Sequence, residues 1–295
     1  MELKQVSRKL NQLAPTSLAG SWDNVGLLVE PSAPHQVKSI FLTNDLTLPV
    51  MHEAIEKKVD LILSYHPPIF RPLKRLTQSA WKEAIVVQCI ENRIAVYSPH
   101  TSFDAVVGGV NDWLISPFFK ASFRKLSLNC TEKALPLVIT LLSTQEGVTD
   151  TIEIMQLTKP PIPEHGPGRI GKLDSPMTIA EAVQLVKSHL KLKNVRLAMA
   201  VGGSLDSIVK SIAVCAGSGS SVLRGVKTDL HLTGEMSHHE VLDATHAGTS
   251  VILCDHSNTE RGYLSEKLKP QLLNIFEQKI EVIVSEKDED PLLIV

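Results

Sequence analysis

Aromatic side chains are scarce: Phe, Trp and Tyr together make up 4% of the 295 residues. A surface that reads nucleic acid by stacking bases on rings is therefore disfavoured. No sign of charge dominates, since 30 Lys and Arg face 32 Asp and Glu for a net charge of −2. That balance excludes a wholly basic, histone-like binder and gives nucleic acid no support as a partner. Cysteine is rare too, and Cys89, Cys130, Cys215 and Cys254 form no C-x-x-C pair. A zinc ribbon and a thioredoxin motif are excluded, and the thiols read as reduced and buried in an intracellular protein. No apolar run approaches the roughly 18 residues that cross a bilayer, so no membrane partner is expected. The chain lacks the Gly-Lys-Ser/Thr of a phosphate loop, a G-x-S-x-G elbow and a Cys–His catalytic pattern. P-loop hydrolysis and Ser or Cys nucleophilic chemistry are thereby disfavoured. The opening MELKQVSRKLNQL carries an acidic residue and no Arg-rich pattern. It reads as neither a signal peptide nor a mitochondrial leader. Leu3, Val6, Leu10 and Leu13 share one helical face, as in an ordinary docking helix.

Hydrophobic residues at 43%, charged residues at 21% and a mean hydropathy of +0.06 describe a globular chain with about two domains' worth of length. Three landmarks recur in order. KSIFLTND (38–45) is matched by KSIAVCAG (210–217), DLILSYH (60–66) by DLHLTGE (229–235), and AVYSPHTSFD (95–104) by VILCDHSNTE (251–260). Helical stretches lie between them, such as 48–59 and 237–248, the latter opened by a Ser237/Glu240 capping box. Strand–helix–strand–helix–strand, twice, predicts an α/β fold of two pseudo-symmetric lobes with largely parallel strands. The expected division is 1–115, a first lobe; 116–200, a short middle segment; and 201–295, a second lobe. In the middle segment, 125–145 and 151–159 read as strand, helix and strand, and 160–171 as a Pro- and Gly-rich loop. A helix over 178–192 starts at a Thr178/Glu181 capping box, and 195–201 reads as a buried strand. The chain closes with a helix at about 260–278, a strand at 279–286 and KDED as a solvated tip.

Of the 11 histidines, His35, His52, His165 and His189 read as surface residues, His246 as a helix-face residue and His231 as part of a strand. His66, His100 and His256 each stand at the C-terminal end of a predicted strand, where parallel α/β sheets bind ligands. Asp104 follows His100 by four residues and Glu260 follows His256 by four, so each pair would project from one helical face. Imidazole with carboxylate and no thiolate suits Zn, Fe, Mn, Co or Ni. Glu235 and Asp45 stand at other strand ends and read as neighbours of the same cleft. His238 and His239, adjacent on a helix, point about 100° apart and cannot share one ion. CAGSGSSVL (215–223) reads either as an anion-holding turn or as a tight turn that needs small residues.

SWDNVGLLVE (21–30), DLILSYHPPIF (60–70), HTSFDAVVGGVNDWL (100–114), GRIG (168–171), DLHLTGEMSHHE (229–240) and DHSNTERGYL (255–264) together resemble the NIF-three-like family, the NGG-interacting-factor proteins. Its bacterial members are often named GTP cyclohydrolase type two, and this sequence looks like an animal member. The resemblance implies two α/β lobes facing each other across a cleft with a dinuclear metal site, in a ring-shaped homohexamer. Carried over by position, the implied metal ligands are His66, Asp104, His256 and Glu260, with His100 as a neighbour. One departure stands out: Tyr65 replaces the first histidine of the family's His-His-Pro. A phenol with a pKa near 10 is a poor ligand at pH 7, so one or two divalent ions per chain are expected, with one position weakened. The middle segment also looks short beside longer relatives. Two functions follow. One is a metal-binding, oligomeric transcriptional co-regulator in cytoplasm and nucleus, partnered by a transcription factor or a COP9-signalosome subunit, as animal members imply. The other is a divalent-metal-dependent hydrolase acting on a nucleotide or phosphorylated small molecule. Glu235, His239 and His100 are its candidate catalytic proton-transfer residues.

Overall fold

The computed structural model describes residues 1–119 and 165–292. The strands and helix expected over 125–159, and Cys130, lie outside the described residues. In the first lobe, short runs of buried apolar residues alternate with helices, and each run forms a strand. β1 is Gly26–Val29, β2 Ser39–Thr43, β3 Leu61–Ser64 and β4 Ala95–Ser98. Helix α1 (Leu3–Leu13) buries Leu3, Val6 and Leu10, the face read from its spacing. Helices α2 (Leu48–Glu56) and α3 (Trp81–Glu91) connect β2, β3 and β4, which run parallel. Beyond β4 come two short helices, α4 (Thr101–Ala105) and α5 (Val110–Ile115).

The second lobe holds β5 (Arg169–Thr178), helix α6 (Ile179–Leu190), β6 (Arg196–Ala198) and β7 (Ile208–Ser218). It continues with α7 (Ser220–Leu223), β8 (Leu230–Glu235), α8 (His238–His246) and β9 (Ser250–Leu253). β7, β8 and β9 are again parallel. A helical run from Arg261 to Ile275, with a π turn at Leu264–Leu268, leads to β10 (Glu281–Val284). The capping boxes Thr178/Glu181 and Ser237/Glu240 are both formed, each satisfying two orphan backbone donors.

The two sheets have matching orders, β1-β4-β3-β2-β10 and β6-β9-β8-β7-β5 read from the same edge. The match extends to hydrogen bonds. Asp60 Oδ2 accepts from the N–H groups of Lys38 and Ser39 and from Ser39 Oγ, and Asp229 Oδ2 accepts from Lys210, Ser211 and Ser211 Oγ. The outer strands differ. β5 is antiparallel to β7, whereas β10 runs parallel to β2 with Val282 opposite Ile40. The last strand among the described residues therefore lies in the first sheet.

Strand alternation sorts the side chains. Ile40, Leu42, Leu61, Leu63 and Tyr97 of the first sheet join Ile212, Val214, Leu230, Leu232 and Ile252 of the second in one core. Phe41, Ile62 and Val96 point the other way, under α2 and α3. The strand read at 195–201 is three residues long and sits at an antiparallel edge, where Arg196 and the flanking Met199 and Val201 are exposed rather than buried. The KDED tip is not solvated throughout: the Asp288 side chain is 4% exposed. His35, expected on the surface, is buried, with Nε2 3.0 Å from the Asp60 carbonyl. His189 is half-buried against Trp113, whose carbonyl lies 3.0 Å from His189 Nε2. Cys89, Cys215 and Cys254 are buried free thiols.

Candidate metal centre

Parallel β2, β3 and β4 end on one edge of their sheet, and β7, β8 and β9 end on one edge of theirs. The shared core brings the two edges together. His66 arrives just past β3, while His256 and Glu260 arrive past β9. One donor atom from each lies within 4.8 Å of the others, and the three form a group able to hold a metal ion. Glu260 is the buried member, with Oε2 3.3 Å from His66 Nε2 and Oε1 3.6 Å from His256 Nε2.

A carboxylate holds each histidine from behind. Asp45 Oδ1 lies 2.9 Å from His66 Nδ1, and Glu235 Oε2 lies 3.0 Å from His256 Nδ1. Such a partner fixes the tautomer and leaves Nε2 free to ligate. The Nε2 of His66 is buried and has no hydrogen-bond partner among the described residues, although Glu260 Oε2 is close. A buried polar atom without a partner is costly, and a cation between two such donors removes the cost. The electrostatics point the same way. Burial alone would lower the His66 pKa, but the charges of Glu260 and Asp45 outweigh it and raise it to about 11. Burial likewise works against the Glu260 charge, yet His66, His256 and the Asn44 amide hold its carboxyl below the usual range. The site therefore demands positive charge, whether a proton or a metal ion.

Asp104 is outside this group. The Tyr65 hydroxyl donates to its Oδ1. Burial and the charge of Glu260 push the Asp104 carboxyl up to about 7, and burial beside Asp104 raises the Tyr65 phenol well above its ordinary value. His100 stands 5.4 Å from His66, ring to ring, but its Nδ1 is 2.7 Å from Asp23 Oδ1. Trp22 and Phe70, both exposed, flank His100 at 6.2 Å. Glu235 touches the cluster through His256. His239 is exposed on the first turn of α8, edge-on to His238.

Three contributors were not singled out by sequence reasoning. Asn44, at the end of β2, donates through Nδ2 to Glu260 Oε2 at 3.0 Å. Asp23 holds both His100 and the Thr101 hydroxyl. Gly217, with φ +62°, lies so close to the cluster that a Cβ would fall 2.6 Å from Glu260 Oε1 and 2.9 Å from His256 Nε2. Residues 215–218, read from the sequence as part of a turn, end strand β7, where Gly217 makes room for Glu260 and His256; the helix after the run has four residues. Asp23 within SWDN and Asn44 within LTND were the available signals.

Several comparisons agree with this architecture. The family model described as Duf34/NIF3 (NGG1p interacting factor 3) matches residues 1–291. NIF3-like protein 1 of Mus musculus is 46% identical over 351 aligned positions, covering 100% of this chain and 93% of that protein. NGG1-interacting factor 3 of Saccharomyces cerevisiae is 35% identical, covering 99% of this chain and 97% of that protein. Among solved structures, the Bacillus cereus protein related to NIF3 superposes with a TM-score of 0.79 at 22% identity, covering 100% and 99% of the two chains. Staphylococcus aureus protein SA1388 gives 0.77 at 27% identity, covering 100% of this chain and 99% of that one. No described helix is long and apolar enough to cross a membrane. With the family model spanning nearly every residue and relatives well above 30% identity across the full chain, this chain belongs to the Duf34/NIF3 (NGG1p interacting factor 3) family.

Proposed function

We propose that this chain holds one divalent ion at His66, His256 and Glu260 and works as an oligomeric metal-binding protein that engages a protein partner in transcription control. The buried, unpartnered Nε2 of His66 facing the Glu260 carboxylate carries the metal part. His66 and His256 bind through Nε2, oriented by Asp45 and Glu235, and Glu260 supplies negative charge between the lobes. The donor set suits Zn, Fe, Mn, Co or Ni. Tyr65 occupies Asp104, so the carboxylate a second ion would need is already taken. The partner part rests on the name of the yeast relative, an NGG1-interacting factor. The matching sheet orders support reading the lobes as two copies of one unit.

Metal analysis of protein purified without added metal, with ions counted per chain, tests the site. One ion per chain is expected, rising towards two in Tyr65→His. An ion-free parent protein, or two ions in the parent, contradicts the assignment. Light scattering at micromolar concentration should give a dimer or larger; a monomer mass contradicts the oligomer.

A second reading, a metal-dependent hydrolase of a nucleotide or phosphorylated small molecule, is favoured by Glu235. This carboxylate is half exposed beside the cluster, where it reaches both His256 and solvent. A bound divalent ion would supply Lewis acidity there. Glu235 is then the group that holds or moves a proton at His256 Nδ1. Turnover of such substrates that survives in Glu235→Gln would exclude that role.

A further inference from the structure

We infer that the C-terminal tail after β10 is a strap that positions the metal ligands of one lobe against those of the other, with Asp288 as its positioning residue. This rests on the metal reading above. The strap starts from a fixed point on α2. Glu53 accepts from Ser285 Oγ at 2.6 Å and from the N–H groups of Glu286 at 3.1 Å and Lys287 at 3.2 Å. Glu53 is 6% exposed and is paired with Lys57 at 3.2 Å.

From that anchor the chain runs across the join of the two lobes. Asp288 Oδ2 accepts the backbone N–H of Asn44 at 2.5 Å. The Asn44 side chain donates to Glu260 Oε2 at 3.0 Å, and its Nδ2 is 3.4 Å from His66 Nδ1. One residue therefore separates Asp288 from a ligand of each lobe. On the second lobe, Asp288 Oδ1 stands 3.5 Å from Nε of Arg261, the residue after Glu260. Arg261 Nη2 donates to Ser257 Oγ at 2.7 Å, and Ser257 Oγ donates to Asp290 Oδ2 at 3.1 Å. Ser257 is the residue after His256. The N–H of Leu292 closes the arrangement on Asp290 Oδ1 at 2.9 Å.

The strap thus grips the neighbours of His66, His256 and Glu260 without touching where an ion would sit. Ordering this segment costs conformational entropy, which these bonds must offset. A buried carboxylate tied to both lobes restrains their relative position, and partners of ligands at one remove tune metal affinity. By linkage, whatever the strap adds to metal binding, the metal adds to strap order.

The test uses the full chain, with Zn²⁺ alone as the probe. In Asp288→Ala the Zn²⁺ Kd should rise about 10-fold. Asp288→Asn keeps an oxygen for the Asn44 N–H and should return the Kd towards the parent value. Melting of the metal-free proteins is followed in parallel. A merely structural role would lower the melting temperature of Asp288→Ala and leave its Kd unmoved, which overturns the proposal. In the unmodified chain, Zn²⁺ should slow amide hydrogen exchange at Asn44 and across 286–292, a readout that needs no variant. If Zn²⁺ binds and tail exchange is unchanged, the strap does not position the ligands. If the parent chain binds no Zn²⁺ at all, the metal reading itself has failed.

Discussion

His100 and Asp104 follow β4 of the first sheet, and His256 and Glu260 follow β9 of the second, each pair four residues apart. In the first lobe the histidine Nδ1 is taken by Asp23 and the carboxylate by the Tyr65 hydroxyl. In the second, Glu235 takes the histidine Nδ1, and the carboxylate faces two imidazoles. The neighbouring strand accounts for much of the difference. β3 leads into Tyr65–His66, while β8 closes on Gly234–Glu235. Gly234 has no side chain to offer Glu260, and a Cβ there would lie 2.7 Å from the Gly217 carbonyl oxygen and 2.8 Å from the His256 Cα. The two carboxyls are shifted in opposite directions, and the Tyr65 bond only moderates the rise at Asp104. Burial and the Glu260 charge take Asp104 up to about 7, while two imidazoles outweigh burial and hold Glu260 low. Matching backbones thus offer one carboxylate to a cation and withhold the other.

The sharpest way to break this contrast is one substitution made in each lobe. Glu260→Gln should weaken ion binding at least about 100-fold, since even partners of ligands cost 10–100-fold. Asp104→Asn should leave the ion count per chain unchanged. Equal losses in both variants, read by metal analysis, would dissolve the contrast. A smaller effect is expected from Gly217→Ala, which places a methyl beside Glu260 and His256 at φ +62°. The left-handed backbone alone costs about 1–2 kcal/mol for a residue with a Cβ, visible in urea unfolding of the metal-free protein. Tyr65→Phe removes the donor to Asp104. Because Asp104 can take up a proton instead, the loss should fall at the low end of the roughly 1–3 kcal/mol for a buried group left unpaired. It should grow as pH rises through about 7, because the parent carboxyl ionises there with the phenol's bond, while the variant's, lacking that bond, is held protonated to higher pH.

The smallest expected effect concerns Glu53, a carboxylate away from the paired positions that serves as a reference. Burial works against its charge, but bonds from Ser285, Glu286 and Lys57 outweigh it and hold its carboxyl below the ordinary 4.5. The unfolded chain then binds this proton first as pH falls, so the stability Glu53 contributes is present above 4.5 and is lost as pH drops through the lower folded value. Glu53→Gln should flatten the acid limb of unfolding stability below pH 4.5. An acid limb unchanged by that substitution would show that Glu53 does not carry this share.

Much of the fold was legible because it is written in local periodicity. The apolar runs at 39–43, 61–64 and 95–98, the helix between Thr178 and Leu190 and both capping boxes depend on neighbours a few residues away. That His66, His256 and Glu260 come together was legible from the convergence of parallel strand ends on one edge, but the same reasoning put His100 and Asp104 on equal terms with them, and they stand outside the group. Asn44 and Asp23 were not legible, since a small polar residue after a strand or in a loop looks the same whether it faces water or a buried carboxylate.

The sequence by itself determined two parallel three-stranded units and the polar residues at their ends. Only the tertiary structure decided that β10 joins the first sheet, that Asp288 lies under Arg261 rather than in water, and that Asp104 meets a phenol while Glu260 faces two imidazoles. The physical reason is range. Helix and strand formation is settled by side-chain spacing within one segment. The availability of a buried carboxylate is settled by which groups reach it, and one that reaches Glu260, the Asn44 amide, lies 216 positions away in the chain.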